Sequence, residues 1–226
     1  MVMTAAELQE AILRLPRTKF ENSNLAGSSL PFLSSRSAEL KALVKEAYKD
    51  EDLDIDELYP FANVEAGIAY FSIGVKRAMT FQQQMTFVLE NIHKADSWTM
   101  TDGIPQYCKK ANLAEFKPFF LKLLKKKDVY SVRAAYVIAL SFLKEDGAGE
   151  FFLSHIRKDD RYYVMMAEAW LLATIAIRDY EKVKQAIAEK IFTAACSRKA
   201  ISKMMDSFRI SPEQKEELKM LRKAIK

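Results

Sequence analysis

The sequence predicts an all-α protein built as an α-solenoid of paired helices, and three observations carry that expectation. First, 226 residues contain only six Gly and six Pro, too few turn formers for a sheet-rich fold, while Ala, Leu, Lys and Glu favour helix. Second, from Leu58 onward apolar residues recur at about 3.6 per turn with short breaks between runs. Third, a short pattern returns at 33-residue intervals as Val132-Arg133-Ala134-Ala135, Met165-Met166-Ala167-Glu168 and Arg198-Lys199-Ala200-Ile201. The small residues at 134, 167 and 200 let neighbouring helices approach. A period of this size with two helices per unit is the pattern of an α-solenoid. Such a solenoid stacks its second helices along one concave face, so positions 133, 166 and 199 (Arg, Met, Lys) fall in one row.

The elements follow in order. Thr4 with Glu7 is a capping box that opens a helix over 4–15, and Pro16 ends it. Residues 21–37, rich in Ser, Asn and Gly, form a loop. A second helix runs from a capping Ser37 to Tyr48. Residues 50–56 are an acidic, solvated linker. Helices then follow near 57–60, 63–77, 81–93, 97–111, 115–126, 129–144, 148–156, 160–176, 180–190, 197–207 and 212–224. No segment alternates polar and apolar long enough to make a strand. The whole chain, 1–226, is expected to be one repeat domain: divergent N-terminal helices and loop over 1–50, the array over 57–210, and a C-terminal helix over 211–226.

One stretch stands out for chemistry, Lys94-Ala-Asp-Ser-Trp98-Thr-Met-Thr-Asp102. It places an indole and a carboxylate four residues apart, on one face of a helix. A ring face and a full negative charge together can receive a cation. The same residues also suit a buried indole and a carboxylate cap before Gly103.

Composition bounds the remaining classes. A net charge of +5 and a pI near 9.0 are compatible with a polyanionic partner. The best basic cluster is Lys109-Lys110, Lys117, Lys122 and Lys125-Lys126-Lys127, which is either a solvated face or a phosphate track. Cys108 and Cys196 lie far apart, with neither a metal pattern nor a disulfide framework, which fits a reducing, cytoplasmic location. No signal peptide is expected at the N-terminus, and the longest apolar run, Trp170 to Ile177, is too short to span a bilayer. His93 and His155 are isolated, so no metal and no cofactor are expected. No Ser-His-Asp order, Gly-rich phosphate loop or CxxC pair occurs, which leaves triad hydrolase, nucleotide-binding and zinc chemistry without support. Glu168 interrupts the apolar run Val164 to Ile177; a carboxylate there needs a partner, and Arg133 or a lysine is the expected one.

Four segments together resemble the AlkD-type alkylpurine DNA glycosylases, a family of HEAT-like repeat proteins. They are Asp96-Ser-Trp98-Thr-Met-Thr-Asp102, matching the family's Trp-x-x-x-Asp; Val129-Tyr-Ser-Val-Arg133-Ala-Ala-Tyr, matching its Arg-Ala-Ala helix; Tyr162 to Leu172, matching a helix with a cleft tryptophan, here Trp170; and Ser197-Arg-Lys-Ala-Ile-Ser-Lys, matching the last repeat. The resemblance implies a right-handed array with a positively charged concave groove for duplex DNA, acting as a monomer on purines made cationic by alkylation at N3 or N7. It implies that Asp102 is the catalytic carboxylate, that Trp98 and Trp170 contact the lesion nucleotide, and that Arg133 holds a phosphate. Lys109, Lys110 and Lys199 join it as expected phosphate contacts.

The chain departs from the family in three places. Ala173 stands where an arginine often follows the second tryptophan, Ser97 stands where active members often carry another tryptophan, and the segment Asn22 to Lys41 keeps only a trace of the family's N-terminal motif. A DNA-binding relative that does not cleave, or a helical scaffold for a protein partner, would carry such changes, and both stay open beside the glycosylase.

Overall fold

The computed structural model describes residues 3–19 and 27–225. Among them the chain is helical throughout, with twelve α-helices and a single isolated bridge between Arg17 and Ser35. It divides into two compact units, Met1–Ala111 and Asn112–Lys226.

The first unit holds α1 (Ala5–Leu13), α2 (Ser37–Ala47), α3 (Val64–Arg77), α4 (Phe81–Asn91) and α5 (Trp98–Asp102). Three 3-10 turns lie between or after them, at Ile55–Leu58, Ile92–Lys94 and Ile104–Tyr107. The capping box at Thr4 forms as expected: its hydroxyl accepts the Glu7 N–H at 3.2 Å, and Glu7 accepts the Thr4 N–H at 2.8 Å. α3 is the centre of the unit. Eleven of its 14 residues are buried, and α2, α4 and α5 pack on it. Two glycines make that possible. A Cβ on Gly67 would overlap the Met100 side chain, and one on Gly74 would overlap the Phe87 ring. Gly67 therefore lets α5, with Trp98 and Asp102, sit close against α3.

The structure corrects three details of the sequence reading here. The helix expected over 97–111 breaks after Asp102. Pro105 has no N–H to give, and the chain tightens into the 3-10 turn Ile104–Tyr107. Ser37 is the first helical residue rather than the cap; the cap position is Arg36, whose N–H bonds the Pro16 carbonyl at 2.9 Å and so ties the entry to the strand-like 17/35 contact. The 50–56 linker is not simply solvated. Leu53 is buried and its carbonyl accepts from Arg77 at 2.8 Å, while Asp56 accepts from Tyr70 at 2.9 Å and Lys94 at 3.1 Å. The 21–37 loop lies outside the described residues over 21–26. Its remainder is a loop held by two carboxylates. Asp96 accepts the Ser28 hydroxyl, the Ser29 N–H and the Ser29 hydroxyl at 2.8–2.9 Å, and buried Glu65 accepts the N–H groups of Leu33 and Ser35 at 3.1 Å each.

The second unit contains α6 (Leu113–Leu124), α7 (Val129–Ala139), α8 (Ala148–His155), α9 (Tyr162–Ile175), α10 (Tyr180–Ala188), α11 (Ala194–Asp206) and α12 (Pro212–Ala224). α6 packs on α7, α7 on α9, α9 on α11, and α11 on α12. The recurring small residues Ala134, Ala167 and Ala200 are buried, as close helix seams require. Phe116 stacks on Phe142 with centroids 4.7 Å apart, and Phe120 meets Phe152 at 4.9 Å, which fills the space between α6, α8 and the end of α7.

Several side-chain bonds that join separate helices of this unit recur at close to one period. Arg133 reaches Tyr163 (30 residues on), Tyr136 reaches Glu168 (32), Lys184 reaches Glu217 (33), and Tyr180 reaches Gln214 (34) and Glu217 (37). Each helix is tied to the equivalent helix one period away, so the 33-residue recurrence in the sequence is a physical register within this unit.

Candidate nucleic-acid interface

In the first unit, α5 is capped by Ser97, whose hydroxyl accepts the Thr99 N–H at 3.2 Å. Ser97 is fully buried. A tryptophan at that position would lose the cap, which gives this departure from the family a local structural reason. Trp98 and Asp102 are half-exposed and line the same pocket, of about 330 Å³. The i, i+4 expectation is met. Thr101 steadies the turn: its one hydroxyl proton is shared between two acceptors, the Trp98 carbonyl at 2.9 Å and the Asp102 carboxylate at 3.1 Å. Two further charged residues line the pocket, Lys41 of α2 and Glu65 of α3. Phe32 and Ser35 close its side, so the short segment before α2 is part of this wall.

The sequence gives a hint of Glu65 alone, a single acid inside the apolar run of α3. Lys41 has no such signal. Lys109 and Lys110 follow in the extended stretch after Tyr107 and are exposed, and the Lys109 N–H is fixed by the Gln84 side chain at 2.7 Å.

The second unit carries the other candidates. Trp170 is 39% exposed on α9, so it is not a core indole. Lys203 of α11 places its ammonium over the Trp170 ring, 6.0 Å from the centroid. Burial lowers the pKa of Lys203, and the positive charges of Lys199 and Arg133 lower it further. Arg133, Lys199, Lys203 and Trp170 therefore share one neighbourhood. Sequence reasoning missed Lys203, although the signal was present: it lies one 33-residue period after Trp170. Met166 and Lys199, adjacent members of the expected row, line one open surface hollow with Arg198 and Arg222. Arg133, the first member, is only 6% exposed, and its Nη1 donates to the Tyr163 carbonyl at 2.7 Å. Ala173 is 7% exposed and faces into the packing of α9.

Glu168 is 1% exposed, yet no ion pair holds it among the described residues, contrary to the expected salt bridge. Its partners are neutral: the Tyr136 hydroxyl donates at 3.3 Å, and the Cys196 thiol makes the second contact. Burial, reinforced by the negative charge of Asp159, pushes its pKa up to about 8. The carboxyl is thus protonated at neutral pH, which is how an acid resides in an apolar seam without a counter-ion. The lysines of α6 are split in use. Lys117 lies over the Phe151 ring at 4.6 Å, whereas Lys125, Lys126 and Lys127 are exposed.

The family model described as DNA alkylation repair enzyme matches residues 7–204. The chain belongs to that family, and its role lies in DNA alkylation repair. Comparison with curated proteins and with solved structures gave no match. Among the described residues no helix is long and apolar enough to cross a membrane.

Proposed function

We propose that this protein is a DNA glycosylase that hydrolyses the N-glycosidic bond of N3- or N7-alkylated purines in duplex DNA. The observation that carries the reading is the pocket shared by Trp98 and Asp102. An alkylated purine is cationic and already a good leaving group. The C1′–N bond breaks with its electron pair going to the base, which departs neutral, and positive charge grows on the sugar. The Asp102 carboxylate stabilises that charge and orients a water, whose oxygen bonds to C1′ and whose proton passes through the carboxylate to solvent. The faces of Trp98 and Trp170 hold the lesion nucleotide. Arg133, Lys109, Lys110 and Lys199 hold phosphates, and residues 57–210 form a right-handed array of HEAT-like pairs with a concave groove. The regular one-period bonding of the second unit supports that array. The protein works as a cytoplasmic monomer.

A second reading, a DNA-binding relative without excision, is favoured by Ala173, a buried small residue where the resembled family carries arginine. The deciding experiment is release of 7-methylguanine and 3-methyladenine from methylated duplex DNA. The unsubstituted chain is expected to release both, and Asp102→Asn to slow release on the order of a hundredfold or more while still binding duplex. Full activity in Asp102→Asn removes the carboxylate's role. Duplex binding with no release by either chain selects the second reading.

A further inference from the structure

We propose that the open hollow formed by α9, α11 and the C-terminal helix α12 is a binding site for phosphate of the DNA backbone, with Arg198 and Arg222 as its principal contacts. Arg222 lies beyond residue 204, where the family match ends, so the site adds a helix to the surface that meets DNA. The proposal rests on the DNA-binding part of the reading above.

The first argument is convergence. Met165 and Met166 come from one side of α9, and Arg198 and Lys199 from the facing side of α11, which packs on it. α12 packs on α11 and supplies Arg222, one turn after its buried anchor Leu218, so the arginine lies on the anchored side of its helix. That helix is held in place: Glu217 accepts from Lys184 at 2.7 Å, and the Gln214 carbonyl accepts from the Tyr180 hydroxyl at 3.0 Å. Three helices thus bring their side chains to one hollow of about 370 Å³.

The second argument is charge. Three cations line the hollow and no acid does. Asp206 follows on the same side of α11 but lies a turn past Ser202, outside the lining. Among the described residues no ion pair or side-chain hydrogen bond holds Arg198, Lys199 or Arg222. Neighbouring cations of this unit are used differently: Lys182 pairs with Glu150, Lys184 with Glu217 and Lys219 with Glu216. Like charges gathered without a counter-charge repel one another, and an anion relieves them.

The third argument is the chemistry of the anion. Arg198 and Arg222 are exposed, and a guanidinium fork matches the oxygens of a phosphate two at a time. The Ser202 hydroxyl already donates to the Arg198 carbonyl at 3.0 Å, so the cations are the donors that an anion meets. DNA is the source of the phosphate, because the hollow contains Met166 and Lys199 of the repeat row and the chain belongs to a DNA alkylation repair family.

The test uses the full chain. Affinity for an unmodified duplex is measured against salt concentration for the unsubstituted protein, Arg198→Gln, Arg222→Gln, Arg222→Lys and Lys182→Gln. The last is a charge-matched control on α10, outside the hollow. Expected is a slope of log Kd against log salt reduced by about 0.9 in each glutamine variant of the hollow, so that a fourfold rise in salt weakens it about 3.5-fold less than the unsubstituted chain. The slope is expected to be retained in Arg222→Lys, which keeps the charge, and in Lys182→Gln. Unchanged slopes in Arg198→Gln and Arg222→Gln overturn the proposal, and so does an equal reduction in Lys182→Gln, which would reflect net charge alone. The thermal midpoint is also compared in inorganic phosphate and in chloride at equal ionic strength. A rise in phosphate that Arg222→Gln abolishes, with the duplex slopes unchanged, makes a free phosphate compound the occupant and overturns the assignment to DNA. Failure of the unsubstituted chain to bind duplex at all overturns the proposal together with the DNA reading. The expected slopes without base release support the site and remove glycosylase activity alone.

Discussion

The protonated carboxyl of Glu168 makes stability depend on pH in a direction opposite to most carboxylates. Folding raises its pKa from 4.5 to about 8, so between those values the native state holds a proton that the unfolded state has released. Stability then falls as pH rises, beginning near 4.5 and ending above about 8. Relative to acid conditions, this one group removes about 3 kcal/mol by pH 7 and about 4 kcal/mol by pH 8, at 1.36 kcal/mol per pKa unit. Glu168→Gln preserves the shape of the neutral acid and cannot ionise. It keeps an oxygen for the Tyr136 hydroxyl and places its amide toward Cys196. Urea unfolding of the two chains at pH 5 and pH 8 measures the effect. The variant is expected to be close to the unsubstituted chain at pH 5 and to gain about 3 kcal/mol on it by pH 8. Parallel behaviour of the two chains across that range would refute the reasoning and mean that a counter-ion or water stabilises the ionised form.

Three further outcomes follow from the first unit. Glu65→Ala leaves the part-buried N–H groups of Leu33 and Ser35 without their acceptor, at a cost of about 1–2 kcal/mol; hydrogen exchange should quicken at those two amides while α7 and α9 keep their protection. Gly67→Ala forces Met100 to move, and α5 with it, at about 1–3 kcal/mol; thermal unfolding measures the loss, and base release should fall with it because Trp98 and Asp102 ride on α5. Tyr70→Phe removes one hydroxyl that joins Asp56, Asn91 and Lys94, and should cost about 1–2 kcal/mol in urea unfolding. An unchanged midpoint in that variant would show that the network is neutral to stability.

Helix existence was legible in the sequence because the apolar period is long and the breakers few. The ends were less so, since they are decided by local competition for N–H groups. At Gly103 to Pro105 a missing donor ends a helix that the apolar pattern alone would continue. At Ser37 a backbone bond from Arg36 to Pro16, twenty residues back in the chain, outweighs a good capping side chain. The Trp98–Asp102 pair was readable because its partners are four residues apart on one helix. The pocket around it was not, because Lys41 and Glu65 arrive from other helices. Lys203 marks the boundary between the two cases: it comes from another helix, but the repeat carries its address. Glu168 shows the limit of reasoning by charge. A buried acid requires a partner, yet the partners here are a neutral phenol and a neutral thiol, and the acid keeps its own proton.

The one-period bonds of the second unit bear on how that part of the chain folds. The side-chain bonds described between its helices join ends no more than 37 residues apart, so loop-closure entropy stays small at those steps and ordering can spread from one helix pair to the next. The same locality confines damage. Loss of α12, through Leu218 for instance, should fray α10 and α11, which bond and pack against it, and leave amide protection in α6 and α7 intact. Lengthening the turn between two pairs should be tolerated wherever the register of 133, 166 and 199 is kept. The unit is therefore open to change at its end while its first helices keep their packing.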